Sequence, residues 1–129
     1  MTDQLSLLIP RPAPSTDLPP AVAEILHAAR SMAFSTRIVR GSWGIGIGPK
    51  RKWMLTGDCC CALGALLVVK GAQAEEGDHS ASPSVAKVLG IPAQAVYQFI
   101  DGYDGQKPDD GSPWFGYGRR VAKELGVTG

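Results

Sequence analysis

The chain has 129 residues, of which 44% are hydrophobic, so it is long and apolar enough for one domain with its own core. Its formal net charge is +1, which excludes a strong overall field toward nucleic acid or a membrane surface. The three cysteines are adjacent and odd in number, and residues 1–4 lack the basic start of a signal peptide. Both features predict a reducing, cytoplasmic location.

Residues 1–19 contain four prolines, at positions 10, 12, 14 and 19. Proline fixes φ and lacks a backbone donor, so this segment is predicted to be an extended arm rather than a helix or a central strand. Its apolar residues, Leu5, Leu7, Leu8 and Ile9, could pack on the domain or on a neighbouring molecule; the alternative is a disordered tail. Residues 20–129 are then predicted to form a single domain.

The first helix is predicted to begin at Pro19 and Pro20, because a proline in the first turn removes no helical hydrogen bond. An apolar stripe with i, i+3, i+4 and i+7 spacing follows, formed by Val22, Ile25, Leu26, Ala29, Met32 and Ala33. His27 falls beside this stripe and is expected to be solvated rather than to serve as a ligand.

Residues 36–56 change to an alternating, glycine-rich pattern that predicts a β-hairpin. A turn centred on residues 49 and 50 would set Trp53 opposite Gly46, where the ring could cover the bare glycine. The segment does not fit a phosphate-binding loop, because Pro49 separates Gly48 from Lys50 and no Ser or Thr follows the lysine.

Residues 59–69 form the most apolar window of the chain and contain no charged side chain. They are too few for a membrane span, which needs about 20 residues. They suffice for three turns of a helix that is apolar all round and therefore buried. Asp58 or Thr56 is expected to cap its start and Gly71 to end it, which would put all three cysteines in the first turn.

Three further helices are predicted from a repeated pattern of a proline start, an apolar stripe and a final glycine. They run from Ser82 to Gly90, from Pro92 to Gly102 and from Ser112 to Gly126, with an acidic loop over residues 101–111. Gly118 predicts a close helix crossing. The sequence as a whole therefore predicts a mostly helical α+β single domain with about five helices and one hairpin at about residues 36–56.

A thiol at a helix start ionises more easily, so Cys59 or Cys61 could act as a nucleophile, with His79 as its base. The order of Cys and a later Gly-Ile-Pro segment resembles transglutaminases and papain-like enzymes. That resemblance implies a histidine after the Gly-Ile-Pro segment, whereas His79 precedes it. Asp58 also disfavours a second negative charge on Cys59. A cysteine-dependent enzyme is therefore the alternative, and structural cysteines without a catalytic set are the leading prediction.

No metal site or cofactor is predicted. Successive helical residues lie about 100° apart, so three adjacent cysteines cannot converge on one ion, and they lack the spacings of zinc sites. The acidic loop does not fit a calcium loop, because Tyr103 and Gly105 fall where oxygen ligands are needed.

A basic turn flanked by two tryptophans is the predicted binding surface, formed by Trp43, Lys50, Arg51, Lys52 and Trp53. Tryptophan and arginine are frequent at the energetic centres of interfaces. The leading hypothesis is a non-catalytic binding or accessory protein that acts through protein–protein contacts and has no membrane partner. Nucleic-acid binding through the basic turn is an alternative, and association with a second copy stays open.

The central sequence Cys61-Ala-Leu-Gly-Ala-Leu66 follows a tryptophan-containing hairpin and precedes a Leu-Gly helix and a C-terminal helix. In this arrangement the chain resembles small uncharacterised proteins of actinobacteria and their phages. The resemblance covers roughly residues 20–126 and implies a similar fold and a phage-related, accessory context. That family brings no established activity.

Overall fold

The structure, a computed structural model, describes residues 18–74, 80–105 and 107–127. Within these ranges it has five α-helices and four short strands. The helices are α1 (Pro20–Met32), α2 (Ala62–Lys70), α3 (Ser82–Leu89), α4 (Ala93–Asp104) and α5 (Pro113–Leu125), and the strands are β1 (Arg37–Ile38), β2 (Ile45–Ile47), β3 (Trp53–Leu55) and β4 (Cys59–Cys60). The predicted mostly helical α+β domain is confirmed. The predicted arm lies almost entirely outside the described residues.

Helix α1 packs its apolar stripe against α2, as the spacing predicts. The stripe residues Val22, Ile25, Leu26 and Ala29 are all at most 1% exposed. His27 is exposed, in agreement with the prediction of a solvated side chain. A salt bridge between Glu24 and Lys70 joins α1 to the end of α2.

Helix α2 is the buried centre of the domain, but it begins three residues later than the sequence predicts. Cys59 and Cys60 form strand β4, which pairs in parallel with β1, so that Cys59 lies beside Arg37 and Cys60 beside Ile38. The buried window therefore divides into a strand and a helix. Small apolar residues fit a strand and a helix equally well, and the pairing with β1 makes Cys59 and Cys60 a strand. Within the described residues, no helix is long and apolar enough to cross a membrane.

The hairpin is formed by β2 and β3 alone, and its register differs from the predicted one. Trp53 pairs with Ile47, while Gly46 pairs with Met54. The turn is centred on Lys50, whereas the predicted centre lay between residues 49 and 50. Each residue of β3 therefore pairs with the β2 residue one position later than predicted. The earlier part of the predicted hairpin, around Arg37, belongs to the other strand pair.

Helices α4 and α5 pack against each other more extensively than any other two helices of the described chain. Gly118 lies against the backbone of α4, where an added Cβ would overlap the carbonyl oxygen of Phe99, so the predicted close crossing is confirmed. The prediction that Gly102 ends α4 is wrong. Gly102 lies inside the helix because its missing side chain makes room for the carbonyl oxygen of Phe115, and the helix ends instead at Gly105, which has a φ of +70°.

Candidate functional site

The hairpin tip, residues 48–52, has an unusual backbone. Lys50 and Arg51 both adopt the left-handed conformation, with φ values of 57° and 58°. Non-glycine residues in this region typically cost about 1 kcal/mol or more each, so the surrounding structure must hold them there. The tip is closed on itself by a hydrogen bond from the Gly48 N–H to the Lys52 carbonyl oxygen, at 2.8 Å.

A neighbouring segment, residues 72–74, holds the tip in place. The Gln73 side chain donates a hydrogen bond to the Lys50 carbonyl oxygen at 3.1 Å. Arg51 donates through Nε to the Ala74 carbonyl oxygen at 3.2 Å, and the Ala74 N–H donates back to the Arg51 carbonyl oxygen at 2.7 Å. These bonds fix a conformation that Lys50 and Arg51 would not favour on their own.

The three predicted cations of the binding surface, Lys50, Arg51 and Lys52, are all exposed and lie together at the tip. Two apolar side chains beside them are also exposed, Ile47 at 44% and Met54 at 46%. The tip therefore presents positive charge next to accessible apolar area.

Trp53, one of the five residues of the predicted binding surface, lies in the core and not at the tip. Its side chain is only 7% exposed, and its indole Nε1–H donates to the hydroxyl of buried Ser84 at 2.8 Å. Alternation along β3 turns Trp53 inward and leaves Met54 outside. Trp43 is half-buried and lies away from the tip, in the wall of a cavity beside α4. The five predicted residues are thus divided among the tip, the core and this cavity.

Two of the three cysteines, Cys60 and Cys61, are buried. The Sγ of Cys61 accepts a hydrogen bond from the Gly64 N–H at 3.4 Å and so caps the start of α2, the role predicted for Asp58 or Thr56. Burial raises the pKa of Cys61 to about 12, and burial together with the charge of Cys59 raises the pKa of Cys60 to about 11. These two thiols therefore stay protonated at neutral pH. Cys59 is half-buried, and His79, the predicted base, lies outside the described residues.

A cavity of about 180 Å³ lies between the loop at residues 41–43, the start of α2 and the end of α4. We call it the Asp104 cavity. Eight residues line it: Gly41, Ser42, Trp43, Cys61, Leu63, Ile100, Tyr103 and Asp104.

Tyr103 and Asp104 connect the three parts of the chain around the Asp104 cavity. The Tyr103 hydroxyl donates to the Val39 carbonyl oxygen at 2.8 Å and accepts from the Ala62 N–H at 3.2 Å. Asp104 accepts from the Gly41 N–H at 3.0 Å. Sequence reasoning missed both residues because it ended α4 at Gly102. The continuing i, i+4 spacing from Phe99 to Tyr103 was the signal that could have included them.

Among the described residues, no group of three or more His, Cys, Asp or Glu side chains is arranged to hold a metal ion. No family model matches the chain, and neither a curated protein nor a solved structure is significantly similar to it.

Proposed function

We propose that this protein is a non-catalytic binding protein that contacts an acidic surface of a protein partner through its hairpin tip. The observation that supports this best is the coincidence of three consecutive exposed cations with a left-handed backbone at Lys50 and Arg51. Backbone strain of this kind persists where the surrounding structure over-determines it, and it is concentrated at functional sites.

A rigid tip favours binding because little conformational freedom is lost when the partner arrives. Arginine and exposed apolar side chains suit a protein interface, where charge sets orientation and buried apolar area adds affinity. The exposed Ile47 and Met54 supply such area next to the tip, one on each face of the hairpin. An acidic partner surface with an apolar centre would complement this combination.

The enzyme alternative has less support. A nucleophilic cysteine needs a lowered pKa, whereas burial raises the pKa of Cys60 and of Cys61. We also infer a reducing, cytoplasmic location, since all three cysteines are free and disulfides are typical of oxidising compartments. The phage-related context implied by the resemblance stays a prediction.

Nucleic-acid binding is the second candidate, because the same three cations could contact phosphates. Three phosphate contacts would give a slope of only about −2 to −3 in a plot of log affinity against log salt concentration, and little affinity at physiological salt. The apolar neighbours Ile47 and Met54 favour a protein partner over a phosphate backbone.

The test compares two variants that each remove three positive charges. The tip variant is Lys50→Asn, Arg51→Asn and Lys52→Gln, since asparagine tolerates the left-handed conformation better than most residues. The control variant is Lys87→Gln, Lys107→Gln and Lys123→Gln, all exposed and outside the tip. Partners are captured from cells with each immobilised protein, identified by mass spectrometry and purified for calorimetric titration.

We expect the purified partner to bind the control variant normally and the tip variant at least about tenfold more weakly, a loss of about 1.4 kcal/mol. Equal binding to both variants would overturn the proposal. Fluorescence anisotropy with DNA and RNA oligonucleotides at two salt concentrations distinguishes nucleic-acid binding from binding to a protein partner. Oligonucleotide binding that requires the tip and weakens with salt at a slope of about −2 to −3 would replace the protein partner with nucleic acid.

A further inference from the structure

The Asp104 cavity contains a carboxylate without a cationic partner. Among the described residues, no Lys or Arg lies within ion-pair distance of Asp104, whose one observed hydrogen bond comes from the Gly41 N–H. Two neighbouring aspartates do have a cationic partner. Asp101 pairs with Lys107 at 3.5 Å and Asp109 with Arg119 at 2.9 Å.

The last turn of α4 contains no basic residue of its own. The C-terminus of a helix carries a partial negative charge that a basic residue in the last turn usually offsets. The other four helices each have one there: Arg30, Lys70, Lys87 and Lys123. The last turn of α4 has none and carries Asp104 instead. Arg40 reaches Gly105 from outside the Asp104 cavity, in a separate groove, and does not line the cavity.

The carboxylate acts on the interior of the Asp104 cavity. Burial is the main reason why the pKa of Tyr103 lies well above its usual range and that of Cys61 rises to about 12. The charge of Asp104 adds to both increases. A positive charge placed in the cavity would lie in the same field and would be stabilised by it.

The rest of the wall is mostly apolar or aromatic, with Ser42 as a further polar side chain. Leu63, Ile100 and Trp43 belong to this lining, and tryptophan is the best side chain for attracting an ammonium group. A cavity of about 150 Å³ is known to admit a molecule of the size of benzene, so the space here suits a ligand with one ring or a short chain. Hard metal ions need several oxygen ligands, and among the described residues no group of three or more His, Cys, Asp or Glu side chains is arranged to hold one here.

We infer that the Asp104 cavity binds a small organic ammonium ion, with its charged group at the Asp104 carboxylate and its apolar stem against Leu63, Ile100 and Trp43. The site is separate from the hairpin tip, and the inference does not depend on the proposed function. The ammonium group could belong to a free amine or to a lysine side chain, and both share the chemistry that the cavity recognises.

The test uses the whole chain and matched probes. Benzylammonium chloride represents a free amine, Nα-acetyl-lysine amide represents a lysine side chain, and benzyl alcohol is the uncharged counterpart of the first. Binding is followed by calorimetry and by amide chemical shifts in nuclear magnetic resonance spectra. We expect one or both ammonium probes to bind at least about tenfold more tightly than benzyl alcohol, with shifts at Gly41, Trp43 and Asp104.

Two variants on α4 test the carboxylate. Asp104→Asn keeps an oxygen that can accept the Gly41 N–H and should weaken ammonium binding at least about tenfold, while benzyl alcohol binding is unchanged. Asp101→Asn removes an equal charge from the same helix outside the cavity and should have little effect. Equal affinity for charged and uncharged probes would overturn the inference, as would equal effects of the two variants. The chemical-shift changes in the unaltered chain locate the binding site independently of the variants. Changes confined to another region of the protein would also overturn the inference.

Discussion

The indole N–H of Trp53 donates a hydrogen bond of 2.8 Å to the hydroxyl of Ser84, and both side chains are buried. This bond joins the inner face of the hairpin to α3 across 31 positions of sequence. It explains why the tryptophan lies in the core. A buried Trp N–H needs an acceptor, and Ser84 is placed to provide it.

Changing Trp53 to Phe should destabilise the protein by about 1–3 kcal/mol, because the Ser84 hydroxyl loses its buried partner. Ser84→Ala should cost a similar amount, since it leaves the indole N–H without an acceptor. The double variant should cost less than the sum of the two single changes. Urea unfolding of the four proteins measures this coupling, and strictly additive losses would contradict the bond.

Local signals in the sequence were sufficient to place most helices. The Ser-Pro start and the final glycine of α3 and of α5 predicted their bounds to within one residue, because capping and stopping are decided by neighbouring residues. The pairing of β4 with β1 could not be predicted in this way. It joins Cys59 to Arg37, 22 positions apart, and small apolar residues fit a strand and a helix equally well.

The same contrast between local and long-range contacts applies to the two candidate sites. The cations of the hairpin tip were predictable because turn residues and charge are visible in the sequence. The Asp104 cavity was not, since it forms only when the loop at residues 41–43 meets α2 and α4. The inward direction of the Trp53 side chain could be predicted only in part. Alternation allows two orientations of β3, and the contact with Ser84 selects one.

Leu66 lies at the centre of α2 and is fully buried. Leu66→Ala should therefore cost about 2–5 kcal/mol, the range found for buried leucines that leave a cavity. Val69→Ala, on the same helix, removes a side chain that is 45% exposed and should cost clearly less. Denaturant unfolding compares the two, and a loss below about 1 kcal/mol for Leu66→Ala would contradict the placement of α2.

Two glycines of α5 should respond to alanine with opposite signs. Gly118→Ala should be strongly destabilising, because its Cβ would overlap the Phe99 carbonyl oxygen. Gly116→Ala meets open space and should stabilise the helix by about 0.5–1 kcal/mol. The melting temperatures of the two variants check this prediction. A stable Gly118→Ala variant would mean that α4 and α5 do not approach as closely as described.

Raising the pH above 9 should destabilise the protein. The ordinary pKa of the cysteines is 9.0, and burial raises it to about 11 for Cys60 and about 12 for Cys61. The unfolded chain therefore loses these protons first, so the stabilising contribution is complete below pH 9 and is lost as the pH rises toward 11–12. Melting temperatures between pH 7 and pH 11 should show this decline, and Cys60→Ala should reduce it. An equal decline in Cys60→Ala would assign the effect to other groups.

The left-handed backbone at Lys50 and Arg51 should depend on Gln73, whose side chain donates to the Lys50 carbonyl oxygen. Gln73→Ala removes this bond without changing charge, so the tip should open more often, while global stability changes by no more than about 1 kcal/mol. Hydrogen exchange at the Arg51 and Lys52 amides, which donate to Gly48 and Pro49, should become several-fold faster. Gln94→Ala removes another exposed glutamine side chain, in the first turn of α4, and should leave exchange at the tip unchanged.

If both variants leave hydrogen exchange at the tip unchanged, the bond from Gln73 does not hold the tip. If the tip loosens and partner binding weakens with it, the fixed conformation contributes to affinity in addition to the three charges.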